Sequence, residues 1–220
     1  MKLSSGGWKV AIFSAVFFGG VLIAYNILNK KSPLPVYNPT DINPRLVDNS
    51  VSQRANGHVV SDFKLTDQTG QTITLKNVKG KVYVTDFFFT TCQSICPKMT
   101  TQLSRVAKTF KNDDRFMIVS HTVDPVTDNR EVLSEYARIN HIDPKQWLLL
   151  TGDTKQIYNL ARKSYFAALD EPSTEGPDFV HTENFVLVDT RGRLRGFYDG
   201  TNTTEVDRLI GDIKILLDEE

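Results

Sequence analysis

The sequence predicts an α/β domain built on a largely parallel sheet, preceded by one transmembrane helix. Three observations predict it. Residues 10–28 (VAIFSAVFFGGVLIAYNIL) carry no charge and have the length needed to cross a bilayer as a single helix. Residues 82–89 (VYVTDFFF) are almost continuously β-branched or aromatic, the mark of a strand buried on both faces. Beyond that strand, helical and strand-like segments alternate, which implies right-handed crossovers onto a common sheet.

Taken in order, Lys2 and Lys9 precede the apolar run and Lys30 and Lys31 follow it, so the positive-inside rule does not orient it. A cleavable signal would have a shorter apolar core and a small-residue cleavage site, which Ala24-Tyr25-Asn26 does not resemble. An uncleaved anchor over 10–28 behind a flank of 1–9 is therefore expected. Residues 29–58 contain Pro33, Pro35, Pro39 and Pro44 without a sustained period and read as an extended tether, with the folded domain over 59–220. Phe63-Lys64-Leu65 and Ile73-Thr74-Leu75 alternate around the turn Asp67-Gln68-Thr69-Gly70 and predict a β-hairpin.

After Pro97, Met99, Leu103, Val106, Ala107 and Phe110 recur at helical spacing. Phe116-Met117-Ile118-Val119 reads as the next strand, and Asp128 with Glu131 as a capping box for a helix carrying Val132, Leu133, Tyr136 and Ala137. Trp147-Leu148-Leu149-Leu150 is a further strand, followed by a helix capped by Asp153 with Gln156. Phe185-Val186-Leu187-Val188 and the strand from Leu194 to Tyr198 flank Asp189-Thr190-Arg191-Gly192 as a closing hairpin. The last helix starts at Asn202, with Val206, Leu209, Ile210, Ile213, Leu216 and Leu217 on one stripe.

Lys plus Arg and Asp plus Glu both total 26, so no basic excess exists to drive counterion release from DNA or RNA. Nucleic acid is not an expected partner. Only two cysteines occur, both in Thr91-Cys92-Gln93-Ser94-Ile95-Cys96-Pro97, so any thiol chemistry is confined there. If a helix starts at Pro97, Cys92 and Cys96 at i and i+4 converge on one face, and the positive helix end lowers their pKa values. Convergent thiols are a ligand pair or a redox pair. A purely stabilising disulfide over so short a loop removes little entropy from the unfolded chain. Structural zinc wants four ligands, and neither a second Cys pair nor His-x-x-x-His is present.

Asp86 stands inside the apolar strand, six residues before Cys92. A carboxylate there needs a partner or a raised pKa. Either a hydrogen bond, for instance to Thr91 or a backbone amide, satisfies it, or it shuttles the proton of a resolving thiol. Of the four histidines, His58, His121 and His141 read as surface or satisfied core residues. His181 sits in the loop Gly176-Pro177-Asp178-Phe179-Val180-His181-Thr182, which feeds the Phe185 strand and can be carried by the sheet toward the cysteines.

Several pieces in order, Phe87-x-Phe89-Thr90-Thr91-Cys92-x-x-x-Cys96-Pro97, Val123-Asp124-Pro125, Trp147-x-x-Leu150-Thr151-Gly152 and His181-Thr182 before Leu187-Val188-Asp189, resemble the Sco/SenC family of membrane-anchored, thioredoxin-fold copper proteins. The similarity runs from about Ser61 to Leu217. It implies a thioredoxin-like fold with an N-terminal hairpin extension, and one copper ion bound by Cys92, Cys96 and His181. Two thiolates and an imidazole suit Cu(I). It also implies a domain facing the periplasm or an equivalent space, single-pass in the cytoplasmic membrane, and a role in assembling the binuclear copper centre of cytochrome c oxidase. Asp124 and Asp128 match the family's Asp-Pro segment and are assigned structural roles.

Two departures from the family pattern stand out. Val180 occupies the place before the ligand histidine where many members have Asp, the nearest acid being Asp178. Asp86 replaces the family's usual aromatic with the residue thioredoxins use for proton transfer, although the cis-proline of thioredoxins has no counterpart in His181-Thr182-Glu183-Asn184. The alternative function is thus a thiol-disulfide oxidoreductase acting on partner cysteines without obligatory copper. In it Cys92, at the loop tip, is the nucleophile, Cys96 the resolving thiol and Asp86 the proton carrier. His181 separates the two readings, because copper retention needs it and a dithiol couple does not.

Overall fold

The computed structural model describes residues 5–28, 33–167 and 183–219. It divides into two units, Met1–Pro33 and Leu34–Glu220. The first contains a 24-residue helix α1 (Ser5–Leu28), on which Ile12, Phe13, Val16, Phe17, Phe18, Val21 and Leu22 are all exposed. The side chains of Val10, Ile23 and residues 25–28 lie outside the described set. Counted on the described residues, no helix is long and apolar enough to cross a membrane.

The second unit is a seven-stranded mixed sheet in the order β2-β1-β5-β4-β3-β6-β7. Its strands are β1 (Lys64–Asp67), β2 (Thr72–Thr74), β3 (Val82–Phe88), β4 (Phe116–Thr122), β5 (Trp147–Thr151), β6 (Asn184–Val188) and β7 (Leu194–Asp199). Between them run α2 (Leu75–Val78), α3 (Cys96–Thr109), α4 (Arg130–Ile139) and α5 (Thr154–Asn159), and α6 (Thr203–Glu219) follows β7. Every residue of β3, β4 and β5 is buried, as their largely apolar sequences require, and the polar Thr85, Asp86, Ser120, His121, Thr122 and Thr151 are buried with them.

Among the described residues, parallel pairing is confined to β3–β4 and β4–β5. Strands β1 and β6 pair antiparallel to β5 and β3, and both predicted hairpins, β1–β2 and β6–β7, are present. The largely parallel sheet expected from alternation is therefore a parallel centre with antiparallel flanks. A strand buried on both faces has the same side-chain pattern in either direction, so its sequence does not carry its polarity.

Alternation along β3 sorts the core into two layers. Val82, Val84 and Phe88 pack with Cys92, Cys96, Met99, Leu103 and the α6 stripe of Val206, Leu209 and Ile213. Tyr83 and Phe87 point to the other side, with Val119, Leu150, Ile157 and Leu160. Asp86 shares the parity of Val84 and Phe88 and so belongs to the cysteine side.

Residues 34–60 depart from the extended tether expected of them. They form a strap on the sheet, with 3-10 turns at Pro39–Asp41 and Pro44–Leu46 and with Ile42, Val47, His58 and Val60 buried. Tyr37 N–H donates to the Leu194 carbonyl at 2.9 Å, and Val60 N–H to that of Gly192 at 2.9 Å. Buried Arg195 donates from Nε to the Pro35 carbonyl at 3.0 Å and from Nη2 to that of Leu34 at 2.7 Å, while its Nη1 pairs with Asp189 at 3.1 Å. Prolines suppress helix and ladder formation, but they do not stop the apolar residues between them from docking. The compact unit thus begins at Leu34 rather than near residue 59.

Asp153 caps α5 as read, accepting from Gln156 N–H at 2.7 Å. For α4 the cap is Asn129, which accepts from Val132 N–H at 3.0 Å, and not Asp128.

Candidate metal and thiol centre

Strand β3 delivers the chain to the C-terminal edge of the parallel centre, where residues 89–95 turn into α3. Cys96 is the first residue of that helix and Pro97 the next, where a missing N–H is no loss. Cys92 precedes the helix, so the thiols do not stack one turn apart on a helical face. The turn instead folds Cys92 over the helix end, and the Cys96 N–H donates to Cys92 Sγ at 3.4 Å. Ser94 Oγ lies 3.7 Å from the same sulfur. Both cysteines are free thiols and buried, with 8% of Cys92 and 3% of Cys96 exposed, so Cys92 is the more open of two nearly closed sites.

Their acidities are split. Burial pushes Cys92 up, but hydrogen bonds from the Cys96 thiol and N–H and from Ser94 outweigh it and bring the pKa down to about 7. Burial, aided by the hydrogen bond to Cys92, pushes Cys96 up to about 12. One sulfur is set to ionise at neutral pH and the other to keep its proton. Iodoacetamide should therefore modify Cys92 first, with a rate that rises through a midpoint near pH 7. Peptide mass mapping checks this, and equal labelling of Cys96 at neutral pH would contradict it.

Asp128 turns out to anchor the cysteine loop. Its fully buried carboxylate accepts from the Thr90 N–H at 3.0 Å and from the hydroxyls of Thr90 and Thr122. Its own N–H donates to the Asp124 carbonyl at 2.8 Å, and Asp124 N–H donates to Thr122 Oγ1 at 3.0 Å. The Asp-Pro segment thus fastens the ends of β3 and β4 together two residues before Cys92. Local spacing suggested a helix cap. The signal for the anchor is the pair of threonines at adjacent strand ends, visible only once β3 and β4 are paired with Phe88 opposite Thr122. Replacing Asp128 by Ala should leave these donors unsatisfied, destabilise the domain by roughly 2–4 kcal/mol and raise the alkylation midpoint of Cys92. A variant with wild-type midpoint would show that the loop holds itself.

Asp86 lies opposite Ser120 in the parallel register. Ser120 Oγ donates to its Oδ1, and Trp147 Nε1 donates to Ser120 Oγ at 2.8 Å. The partner is a neighbouring-strand hydroxyl, not Thr91. Burial pushes the Asp86 pKa up to about 7 against the opposing pull of Ser120. Its charge is felt at Cys96 and at Tyr136.

Among the histidines, His58 is buried with Nε2 at 2.8 Å from the Ser164 carbonyl. His121 lies within β4 rather than past it, its Nδ1 at 3.1 Å from Thr85 Oγ1 and its ring stacked on Phe87 at 5.1 Å; burial pushes its pKa down to about 3. His141 lies two residues past the end of α4, with φ of 54°. His181, Asp178 and Val180 lie outside the described residues. The structure therefore brings together Cys92, Cys96 and Asp86. Among the described residues no cluster of three or more His, Cys, Asp or Glu is arranged to hold a metal ion. Two thiol sulfurs, one on the turn and one at the start of α3, are a soft, two-point donor set that fits Cu(I).

The family model described as SCO1/SenC matches residues 51–218. The SCO1 protein homolog of Bacillus subtilis (strain 168) is 34% identical over 158 residues, covering 70% of this chain and 81% of that one. Among solved structures, BsSco, a member of the Sco family of cytochrome c oxidase assembly proteins in which a disulfide switch was identified, superposes with a TM-score of 0.62 at 30% identity. That match covers 72% of this chain and 93% of that one. Bradyrhizobium japonicum ScoI with copper bound superposes with a TM-score of 0.58 at 27% identity, covering 72% and 99%. The mixed thioredoxin-like sheet, the paired thiols at its edge and the match over most of its length make this chain a member of the SCO1/SenC family.

Proposed function

We propose that the chain is a membrane-anchored copper chaperone that binds one copper ion through Cys92, Cys96 and His181. On this reading it delivers the ion to, or prepares the cysteines of, the copper site of cytochrome c oxidase. The observation that carries the proposal is the pair of reduced thiols at the start of α3, one of them acidified by hydrogen bonds from the other's thiol and backbone N–H. Copper binding by the related ScoI and the assembly role of the family of BsSco supply the cargo and the client. Bound copper would take Cys92 as a ready thiolate. Cys96 must give up a tightly held proton, so metal uptake releases protons and is favoured by rising pH.

The chain from Leu34 onward, purified without the helix, should bind one copper ion with sulfur in its first shell by X-ray absorption, and His181→Ala should lose most of the affinity. Unchanged affinity in that variant, or a shell without sulfur, overturns the reading. The exposed apolar residues of α1 suit contact with lipid, and on this reading the helix is an uncleaved anchor with the domain on the periplasmic or equivalent side. N-terminal sequencing of the mature protein and protease accessibility from the outer face test it.

A second reading, thiol-disulfide exchange with client cysteines, is favoured by the split acidities and by Asp86. The Cys92 thiolate attacks a client disulfide, forming a mixed disulfide and releasing one client thiolate. Cys96 then loses its proton and attacks Cys92 Sγ, releasing the second client sulfur. The chain's dithiol is oxidised to a disulfide and the client disulfide is reduced to two thiols.

A further inference from the structure

We propose that His58 is an acid-released latch: while its ring is neutral it pins the end of the strap to the π-helical turn that follows α5, and when a proton enters the ring the strap end comes free. The turn spans Leu160–Ser164. His58 is 2% exposed, and its Nε2 lies 2.8 Å from the Ser164 carbonyl oxygen. A carbonyl can only accept, so Nε2 carries the ring's proton and Nδ1 is left with a bare lone pair. That Nδ1 is buried and has no hydrogen-bond partner among the described residues. Around this contact the Ser61 N–H donates to buried Ser164 Oγ at 3.2 Å, and the His58 N–H to Asn38 Oδ1 at 3.3 Å, which ties the strap's end to its beginning. The ring packs on Phe166 with centroids 4.7 Å apart. Phe166 is fully buried with φ of 51°, a left-handed conformation that a bulky residue rarely takes. Such a backbone persists only where its surroundings hold it, and the His58 ring is one of the groups that do.

A second proton can enter the ring only at Nδ1, where it places an N–H and a positive charge in a buried position without an acceptor. The charged and titratable groups of the elements packed here do not supply one. On the strap, Asp41 accepts from the Asn38 N–H at 2.9 Å, Asp48 accepts from the Ser50 N–H at 2.8 Å and pairs with Lys163 of the turn at 3.6 Å, and Arg54 adds a positive charge. Asp62, just past the strap, accepts from the Phe63 N–H at 2.9 Å. The Arg162 guanidinium lies over the Tyr158 ring, the Tyr165 hydroxyl is 3.2 Å from that of Tyr83, and His121 of β4 is held neutral by burial. Burial pushes the His58 pKa below the ordinary 6.5; the Ser164 carbonyl pulls the other way, and Arg54 adds to the lowering. Once off the turn, the ring regains the ordinary value and takes a proton that the docked ring refuses. The latch is thus fully effective above pH 6.5 and weakens as pH falls through that value toward the lowered one. It is independent of what the thiols bind.

The test is amide hydrogen exchange of the full chain in detergent, followed by mass spectrometry and corrected for the intrinsic effect of pH. Opening of the segment 54–61 should rise about fourfold between pH 7.5 and pH 6.0, while the amides of β4 show no such rise. His58→Gln keeps a donor for the Ser164 carbonyl, and His58→Phe keeps a ring against Phe166. Neither titrates, so in both the rise should vanish. A wild type whose corrected exchange is the same at the two pH values overturns the proposal, and so does a rise that survives in both variants. The imidazole's own titration, followed by NMR in the wild-type chain, needs no variant to fold: a midpoint below 6.5 supports the latch, and one at or above 6.5 overturns it.

Discussion

A chain beginning at Ser61 should be at least about 4 kcal/mol less stable than one beginning at Leu34, and its melting temperature should drop by roughly 10 °C or more. The shorter chain lacks Ile42, Val47 and Val60, each buried to within 9% of full coverage. Each such side chain contributes about 1.5–3 kcal/mol on burial. It also leaves Arg195, 4% exposed, without the carbonyls of Leu34 and Pro35, and a buried guanidinium that loses acceptors is costly. Set against the roughly 5–15 kcal/mol that holds a domain together, the loss brings the shorter chain close to unfolding. Guanidinium titration of the two chains measures it directly, and equal midpoints would mean that the strap only rests on the sheet.

Replacing Asp86 by Asn should stabilise the domain near pH 8 and leave it nearly unchanged near pH 4. The carboxyl titrates at about 7 in the fold and at the ordinary 3.8 when the chain unfolds. Below 3.8 both states are protonated and the group contributes no pH-dependent term. As pH rises from 3.8 to 7 the unfolded chain releases its proton while the folded one keeps it, so stability falls. Above 7 the full penalty applies, on the order of 4 kcal/mol for a shift of this size. The amide avoids that penalty but introduces an N–H pair that needs acceptors, so a net gain of about 2–4 kcal/mol is expected. Urea unfolding of both proteins at the two pH values decides the matter. A difference that does not depend on pH would show that Asp86 ionises in the fold as readily as outside it.

How much of this was legible in the sequence follows from which interactions are local. The strands at Val82, Phe116 and Trp147 announce themselves because burial on both faces demands a run of apolar residues without the alternation of a half-exposed strand. The α5 cap at Asp153 and the hairpin turns are legible for the same reason, since donor and acceptor lie within a few residues of each other. Strand polarity, the Asp128 anchor and the Ser120–Trp147 chain are not local. Each joins residues brought together only by strand pairing, and Asp128 carries a local pattern that points elsewhere. The strap is hidden in the sequence because its prolines signal an extended segment, while the burial of Ile42 and Val47 depends on a surface built much later in the chain. The cysteine loop was legible as a site, although its convergence comes from a backbone N–H meeting a sulfur rather than from helical spacing.

The strap has one more consequence. Strand β7 lies at one end of the sheet order, and its outer side is the row that any passing extended chain could join. Tyr37 bridges to Leu194 there and lays its ring against Phe197 at 5.5 Å, while Arg195 ties down the two carbonyls at the strap's start. At the opposite end β2 is only three residues long, too short to template much. A chain deprived of residues 34–60 thus exposes its longer edge, and should form intermolecular sheet and precipitate on concentration while the strapped domain stays monodisperse.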